Sequence, residues 1–456
     1  MKNNILKKGL MVVIILLFIG SGLASGYNEN VPSSRCNCQT TEDTNIDYVF
    51  DPEYPTMKPI RIEPVKPDSS IIDVTIVDTP AEFSWKNLDG KDWTTPARSQ
   101  GQCGSCWLFG ALGVLESVIE IKEECADLNP DLSEQYVLSC IPGAGSCNGG
   151  DPYNCAFSYI IDTSESENQR NGVVLEKCFN YQSNFDYTSP CSEKDDDWEE
   201  FLIPISDFWQ SGFWDIDNPD LIDTIKSLIY TKGPVYSMYW ASDYNRAWGT
   251  LRHKSTDYYK DLNEDCPRYV NHGIALVGWK DDPSIGNGGY WIVKNSWGSK
   301  WGYDGFFNLE YDCLNMGAFV AWVDYDPNSF DWPTNPHPPN SPSINGQPSG
   351  GIGIQHEYTV SSTDPDDDPI YYTIDWDDEN IEEWLGPYAS GEEITFEHSW
   401  ARSGRYNIKV KAIDEWGSQS SWATISVSMP KNKGYIDSPI LRFLTQILDF
   451  LTFANR

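Results

Sequence analysis

The strongest constraint on this chain is one short stretch, residues 100–107, which reads QGQCGSCW. Cys103 and Cys106 are separated by two small residues, and the apolar positions that follow recur at helical spacing over about 106–124. A thiol at the N-terminus of a helix faces the positive end of the helix dipole, which favours the thiolate. We therefore predict that Cys106 is a nucleophile. A dithiol redox site shared with Cys103, or half of a zinc site, has the same cysteine spacing and stays open at this point.

A nucleophilic cysteine needs a base, a group that orients the base, and donors for an oxyanion. Among the five histidines, only His272 stands at the head of an apolar strand pattern, NHGIALVG. The other four fall in a Tyr-rich loop, a Pro-rich segment or a predicted β-sandwich. Asn295, in the block WIVKNSWG, can accept a hydrogen bond from the imidazole and fix its tautomer, with Trp297 and Trp301 as a shield from water. Cys106, His272 and Asn295 are the predicted catalytic group.

Length and composition indicate the compartment and argue against some partners. A chain of 456 residues is too long for one ordinary domain and suits two or three. A net charge of −36 argues against nucleic acid or an anionic membrane surface as a partner. Residues 1–26 combine a basic start, a short apolar run and small residues, which predicts a signal peptide because a membrane span needs about 20 apolar residues. We therefore expect a secreted or cell-surface protein, and twelve cysteines fit such an oxidising compartment.

Two regions precede the C-terminal third of the chain. Residues 27–80 are rich in Pro and Asp, which forbids long helices, and they are either a linker or a short pro-segment that covers a cleft until it is removed. In residues 81–325 helical patterns come first, and short β-branched and aromatic runs alternate with Gly-rich turns beyond 230. The predicted strands there are Val235–Trp240, Gly273–Trp279, Tyr290–Lys294 and Gly305–Tyr311. This order predicts an α+β domain with a helical half and a sheet half.

The C-terminal third is predicted to be a second, all-β domain with flanking segments. Residues 326–350 are a Pro-rich linker, and residues 351–430 alternate in short strands without cysteine, which predicts a small immunoglobulin-like β-sandwich. Residues 431–456 have a one-sided apolar pattern at helical spacing. This amphipathic tail is expected to dock on the sandwich, on a partner chain or at a membrane interface.

Four blocks in order resemble the papain family of cysteine peptidases: QGQCGSCW at 100–107, CNGG at 147–150, the strand after His272, and NSWG at 295–298. The resemblance spans about residues 83–325 and implies a papain-like two-lobe fold, protein or peptide substrates, and no cofactor for catalysis. It also implies that Cys106 is the nucleophile, His272 the base and later the acid, and Asn295 the orienter. The Gln100 side chain and the Cys106 backbone N–H would form the oxyanion hole.

The same resemblance implies a set of substrate-binding residues. These are Gly149, Gly150, Pro152, Met238, Gly273 and Ala318. The positions expected to contact the residue two before the scissile bond are apolar, so we predict an apolar preference there. The stretch before residue 81 lacks the long helical pro-segment pattern of many family members, which argues against zymogen inhibition. No His pair typical of an occluding loop is visible, which favours an endopeptidase over an exopeptidase.

The resemblance also sorts most of the cysteines. The implied disulfides are Cys103–Cys147, Cys140–Cys191 and Cys266–Cys313. Cys155 is paired with Cys178 only because both remain. Cys36, Cys38 and Cys125 have no assigned partner.

The sandwich carries its own signals. The acidic run at 362–368 and the block IDWD at 374–377 resemble a polycystin-type (PKD) repeat. Carboxylates at Asp364, Asp366 and Asp368 alternate and suit an oxygen-ligand site for Ca²⁺, with a solvated acidic turn as the alternative.

The sequence thus predicts a secreted cysteine endopeptidase that carries a β-sandwich, and two other functions compete with this interpretation. One is a cell-surface adhesion or binding protein that uses the sandwich and keeps the peptidase domain as a scaffold. It predicts loss of Cys106, His272 or Gln100, and all three are present. The other is a thiol redox protein, which predicts that Cys103 and Cys106 are reversibly oxidised together.

Overall fold

The computed structural model describes residues 55–62, 74–151, 154–161, 171–182, 188–213, 218–241, 258–259, 268–333, 336–378 and 380–430. These residues belong to one compact unit of the chain. The predicted signal peptide (1–26), the tail (431–456), Cys36 and Cys38 lie outside the described residues. Within the described part, no helix combines the length and the apolar character that a membrane crossing requires.

The helical half is built around one long, buried helix. Helix α1 (Cys106–Glu123) matches the predicted helix and ends where Glu124 adopts a left-handed conformation, with φ of 57°. It packs against the second helix of the lobe on one side and against the sheet on the other. Ser133 caps the second helix as predicted, because its hydroxyl accepts a hydrogen bond from the Tyr136 N–H at 3.0 Å. The remaining helices are α2 (Glu134–Cys140), α3 (Ala156–Ile160) and α4 (Leu221–Lys232).

The sheet half follows the prediction of antiparallel strands. The strands up to residue 324 are β1 (Ile60–Arg61), β2 (Glu82–Ser84), β3 (Gly145–Ser146), β4 (Gly149–Gly150), β5 (Val173–Val174), β6 (Leu202–Ile203), β7 (Asp207–Phe213), β8 (Val235–Tyr239), β9 (Tyr258–Tyr259), β10 (Tyr269–Val270), β11 (His272–Asp281), β12 (Gly289–Lys294), β13 (Phe306–Glu310) and β14 (Phe319–Asp324). The main sheet has the order β7-β14-β8-β11-β12-β13-β9, with β2 also paired to β11. Among the described strand pairs of this sheet, only β13 and β9 run parallel to each other. Strand β11 lies against α1, so the first residues of each element meet between the two lobes.

The C-terminal domain is a sandwich of two antiparallel sheets. Its strands are β15 (Ser343–Gly346), β16 (His356–Ser361), β17 (Ile370–Asp375), β18 (Ile381–Tyr388), β19 (Ile394–His398), β20 (Gly404–Asp414) and β21 (Ala423–Met429). One sheet has the order β15-β16-β19 and the other β18-β17-β20-β21. Tyr358, Trp376 and Trp400 are fully buried between them. The sandwich is therefore a domain with a core of its own, as its alternating sequence predicts.

The sandwich starts earlier than the sequence predicts. Strand β15 lies inside the segment expected to be a linker, and it pairs along its whole length with β16. Its sequence, SING, contains one apolar residue, Ile344, which packs against the sandwich core. Four residues with a single apolar position carry too little alternation to indicate a strand.

Candidate active site

Cys106 is the first residue of α1 and is completely buried. Burial raises the pKa of Cys106 to about 11, although the backbone N–H groups of Gly273, Met57 and Trp107 act to lower it. The expected thiolate is therefore not favoured while the sulfur is covered in this way. The helix N-terminus does what the sequence predicts, but desolvation outweighs it.

His272 lies next to Cys106 because two glycines allow strand β11 to approach α1 closely. A Cβ atom on Gly273 would lie 3.0 Å from the Cys106 carbonyl oxygen, and one on Gly110 would lie 2.9 Å from the Ile274 nitrogen. The backbone of Gly273, the residue directly after His272, is among the groups that lower the pKa of Cys106. The first residue of the strand and the first residue of the helix thus form one site.

Asn295 fixes the orientation of the His272 ring. His272 Nε2 and Asn295 Oδ1 are 2.7 Å apart, and Oδ1 also accepts the Ser296 N–H at 2.8 Å. Because Oδ1 accepts in both bonds, Nε2 carries the hydrogen and Nδ1 is the basic nitrogen. Trp297 stacks on the imidazole at 4.5 Å between ring centres, and Trp301 meets Trp297 edge-on at 5.0 Å. The tryptophans predicted as a shield therefore cover this bond.

Gln100 is fully buried, and its side chain is held at both ends. Its Nε2 donates to the Cys103 carbonyl at 2.7 Å, and its Oε1 accepts from the Ser296 hydroxyl at 2.7 Å. The Gln100 N–H also donates to the Ser296 carbonyl at 2.9 Å. With one Nε2 hydrogen in the bond to Cys103, the second remains available for an oxyanion.

Two residues that support this site were missed by the sequence analysis. Ser296 bonds to both Gln100 and Asn295, and its position beside Asn295 was a signal that could have revealed it. The Tyr181 hydroxyl lies 2.7 Å from the Ser105 hydroxyl and donates to the Gln100 carbonyl at 3.1 Å. Nothing in the sequence around Tyr181 indicates this contact.

Two of the implied disulfides are present among the described residues. Cys103 is bonded to Cys147, and Cys140 is bonded to Cys191. The first bond ties the loop before α1 to the β3–β4 turn, and it leaves Cys103 unavailable as a redox partner of Cys106. Cys313 is also disulfide-bonded, whereas its implied partner Cys266 lies outside the described residues.

The pairing of Cys155 with Cys178 is wrong, because both are free, buried thiols. Burial raises the pKa of each thiol to about 12, so both are protonated and unreactive. Their pairing rested on elimination alone, and the structure gives these buried cysteines the role of small apolar side chains. Cys125 is a third free thiol and is half-buried.

Residues 55–62, here named the cleft segment, lie across the site between the two lobes. On the sheet side, the Trp297 indole N–H donates to the Pro55 carbonyl at 3.2 Å, and the Met57 N–H donates to the Asn271 carbonyl at 3.0 Å. On the other side, the Lys58 N–H donates to the Asn148 carbonyl at 3.2 Å. The segment then continues as β1, paired antiparallel with β10. It is this segment that covers Cys106.

The cleft segment places one buried side chain against a predicted substrate-binding residue, Gly149. Met57 is 1% exposed and belongs to the same buried apolar cluster as Met238 and Ala318. A Cβ atom on Gly149 would lie 2.9 Å from the Met57 Cβ. Met238 lies directly opposite Gly273 in the β8–β11 pairing.

Two further residues, Gly150 and Pro152, were predicted to bind substrate. Gly150 packs against the Trp107 ring, because a Cβ atom there would lie 2.7 Å from the indole. Pro152 lies outside the described residues.

The three aspartates proposed to bind Ca²⁺ do not form a shared site. Asp364 Oδ1 accepts the N–H groups of Asp366 and Asp368, at 2.8 and 3.3 Å. The carboxylate of Asp366 instead meets the ring of His337 at 3.1 Å. No cluster of three His, Cys, Asp or Glu side chains suited to a metal occurs within the described residues. The acidic run is a hydrogen-bonded turn, which was the alternative interpretation.

Comparison with known proteins agrees with the fold. The family model described as "Papain family cysteine protease" matches residues 79–319. The chain belongs to the papain family of cysteine proteases.

Individual relatives resemble about half of the chain. A "Cysteine proteinase" of Trypanosoma brucei brucei is 30% identical over 242 residues, which are 52% of this chain and 45% of that protein. "Procathepsin L" of Mus musculus is 30% identical over 249 residues, 54% of this chain and 65% of that protein. The chain thus spans 45% of the length of the first relative and 65% of the length of the second.

Among solved structures, the PKD domain of an M14-like peptidase from a Thermoplasmatales archaeon is similar to part of this chain. It is 48% identical and covers 21% of this chain and 99% of that chain, with a TM-score of 0.21.

Proposed function

We propose that the protein is a secreted cysteine endopeptidase. The observation that carries this proposal is the bond of 2.7 Å between His272 Nε2 and Asn295 Oδ1, made by the first residue of the strand that packs against Cys106. That bond leaves Nδ1 as the basic nitrogen of a ring whose neighbour in the chain, Gly273, lies against the Cys106 backbone.

The reaction is acyl transfer to sulfur followed by hydrolysis. His272 takes the thiol proton, and the Cys106 sulfur forms a bond to the carbonyl carbon of the substrate. The resulting oxyanion is held by the Gln100 Nε2–H and the Cys106 backbone N–H. When the C–N bond breaks, His272 returns the proton to the leaving amine, which leaves a thioester on Cys106. His272 then takes a proton from water while the water oxygen attacks the thioester carbonyl. The C–S bond breaks, the carboxylic acid leaves, and the proton on His272 returns to the Cys106 sulfur.

Residues 27–80 act in this proposal as a pro-segment rather than as a linker. The cleft segment supports this choice, because it bonds to both lobes and covers Cys106. The Met57 N–H is bonded to the Asn271 carbonyl, directly before His272, so the segment is held at the catalytic group. Because no helical pro-segment was recognised in the sequence, this short extended segment would serve as the cover.

The substrate residue two before the scissile bond is apolar in this proposal. Met238 and Ala318 are buried apolar residues, and the apolar Met57 side chain of the cleft segment belongs to the same hydrophobic core. A peptide library with a strong preference for Arg at that position contradicts this specificity.

Secretion is supported by the signal-peptide pattern at residues 1–26 and by two disulfides among the described residues. Protein or peptide substrates are the expected partners. A strongly negative net charge makes nucleic acid an unsuitable one.

The decisive experiment compares two cysteine variants of the full chain. An epoxysuccinyl thiol label is expected to modify Cys106 and to abolish hydrolysis of a fluorogenic peptide. Cys106→Ala is expected to be inert, whereas Cys125→Ala, which removes another free thiol, is expected to keep full activity. Hydrolysis that persists in Cys106→Ala overturns the proposed function.

A further inference from the structure

The loop that follows β20 connects the sandwich to the peptidase domain. We name residues 414–418 the docking loop. Asp414 shapes it, since its Oδ1 accepts the N–H groups of Trp416, Gly417 and Ser418 at 2.8–2.9 Å. The Ser418 hydroxyl then lies 3.3 and 3.2 Å from the carbonyl oxygens of Asp127 and Leu128, which belong to the peptidase domain.

Charged and aromatic contacts hold the docking loop in place. Glu415 pairs with Lys177, whose side chain is only 7% exposed. The Lys177 ammonium also lies 5.4 Å from the centre of the Trp416 ring. Trp416 in turn meets Trp332 edge-on at 6.2 Å. Removing one partner of an ion pair that is largely excluded from water leaves an uncompensated charge, so this contact depends on both side chains.

Gly417 brings the docking loop against Asp131 of the peptidase domain. Its φ is +109°, and an added Cβ atom would lie 2.4 Å from the Asn129 carbonyl oxygen and 3.0 Å from the Asp131 Cβ. Only glycine fits a backbone approach this close. Asp131, which is 3% exposed, therefore lies directly against the sandwich.

Asp131 connects this contact to the oxyanion hole. Its carboxylate pairs with Arg98 at 2.7 Å, and Arg98 precedes Gln100 by two residues. The Arg98 carbonyl accepts the Gly298 N–H at 3.0 Å, so the Arg98 segment runs alongside the block that carries Asn295 and Ser296.

Two charges of the sandwich share this environment. Burial and the neighbouring Arg98 lower the pKa of Lys411 to about 8. The negative charge of Glu383 acts to raise the pKa of both Arg98 and Asp131. The pair formed by Arg98 and Asp131 is thus enclosed by both domains.

We propose that the docking loop is a positioning element of the peptidase: it holds Asp131, and through Arg98 it keeps Gln100 aimed at the oxyanion. This inference rests on the proposed function, and it gives the sandwich a role in the peptidase reaction. Gly417, Asp131 and Arg98 touch no reacting atom in this account and act only through Gln100. The effect belongs to the chemical step and not to substrate binding, because a developing oxyanion is the group that Gln100 contacts.

The test uses the full chain, with a site for an exogenous protease inserted between residues 66 and 67 so that every variant is uncovered in the same way. Gly417→Ala is compared with Gly353→Ala, because Gly353 also has a positive φ (+69°) but an added Cβ there meets nothing within 4 Å. We expect Gly417→Ala to lower kcat about tenfold, less than the roughly 100-fold typical of a deleted oxyanion donor, with KM within about twofold. Gly353→Ala is expected to match the parent.

A double-mutant cycle separates positioning from a general loss of stability. In a Gln100→Ala background, Gly417→Ala is expected to have no further effect on kcat, since the group it acts through is gone. A full additional loss in that background overturns the proposal. Equal kcat for Gly417→Ala and Gly353→Ala in an active parent also overturns it.

A second pair of variants covers the case in which Gly417→Ala does not fold. Glu415→Lys is expected to lower kcat, and Lys177→Glu in the same chain is expected to restore it by reversing the ion pair. An unchanged kcat in Glu415→Lys contradicts the proposal. A parent chain without any Cys106-dependent hydrolysis instead overturns the proposed function itself, and this inference with it.

Discussion

The backbone N–H of Met57 donates to the Asn271 carbonyl at 3.0 Å, directly before His272. A residue that precedes the peptidase domain in sequence thus lies at the catalytic group, and it is among the groups that lower the pKa of Cys106. The covered thiol and the covering segment therefore have to be considered together.

The first prediction concerns the pH dependence of Cys106 alkylation. Burial raises the pKa of the thiol to about 11 in the covered chain, and only the thiolate reacts. The iodoacetamide rate at Cys106 is therefore expected to rise with pH towards a midpoint near 11. Cleavage at a protease site inserted between residues 66 and 67, with release of the cleft segment, is expected to move the midpoint to lower pH. Identical midpoints before and after release would contradict the covering role.

The second prediction tests the segment without cleavage. Met57→Asp places a charge where the native side chain is 1% exposed, so it is expected to weaken the segment and speed alkylation of Cys106 at pH 7.5. Lys58→Asp changes the neighbouring exposed residue and serves as the control. The two rates are measured by mass spectrometry of the labelled Cys106 peptide. A Met57→Asp chain that labels as slowly as Lys58→Asp is not compatible with a cover held by Met57.

The third prediction concerns the group that holds Gln100. Gln100→Ala removes an oxyanion donor and is expected to lower kcat by about 100- to 1,000-fold. Ser296→Ala leaves the donor but removes the bond of 2.7 Å to Gln100 Oε1, so a smaller loss is expected, with KM unchanged. Ser117→Ala is the control, because Ser117 is also fully buried but bonds only within α1, to the Gly113 carbonyl. Steady-state kinetics on the uncovered chain measure all three. If Ser296→Ala and Ser117→Ala have equal kcat values, Ser296 does not position Gln100.

The sequence predicted the elements whose signals are local. Helix α1 has apolar residues at helical spacing, and strand β11 has a continuous apolar run, so burial of the helix and of the whole strand decides their structure. The catalytic group was predicted because few residues were eligible, with His272 the only histidine before an apolar strand. The motifs around Cys106 and Asn295 identified the other two members of the catalytic group.

What the sequence could not predict depends on contacts between distant residues. Pro55 and Trp297 are 242 positions apart, and nothing near Pro55 indicates that its carbonyl accepts the indole N–H. The contact of Gly417 with Asp131 is of the same kind, because it joins two domains whose docking has no periodic signal. The pKa of Cys106 was predicted in the wrong direction for the covered chain, since the helix dipole is visible in a sequence and burial under a distant segment is not.

The fourth prediction concerns stability and pH. Burial raises the pKa of Asp414 from 3.8 to about 7, despite three backbone N–H groups on its Oδ1 that lower it. A folded state that prefers the protonated carboxyl is most stabilised below the unfolded pKa, and this contribution is lost as the pH rises through about 7.

Asp414→Asn keeps the acceptor but removes the titration. Relative to this variant, the free energy of unfolding of the parent is expected to fall between about pH 4 and pH 7, by a few kcal/mol at most, since one pKa unit corresponds to about 1.4 kcal/mol. Urea unfolding at several pH values measures the difference. Parallel curves for parent and variant would show that burial of Asp414 does not shift its titration.

The central claim is that Cys106 forms the covalent intermediate of peptide-bond hydrolysis. The most direct measurement is rapid acid quenching of the uncovered chain with a peptide ester, followed by mass spectrometry of the peptide that contains Cys106. The account predicts an acyl adduct on Cys106 that forms in a burst and decays with turnover. In a His272→Ala variant, which the activated ester can still acylate, the adduct is expected to accumulate more because the base for its hydrolysis is missing. Turnover without an adduct on Cys106, or an adduct on another residue, would contradict it.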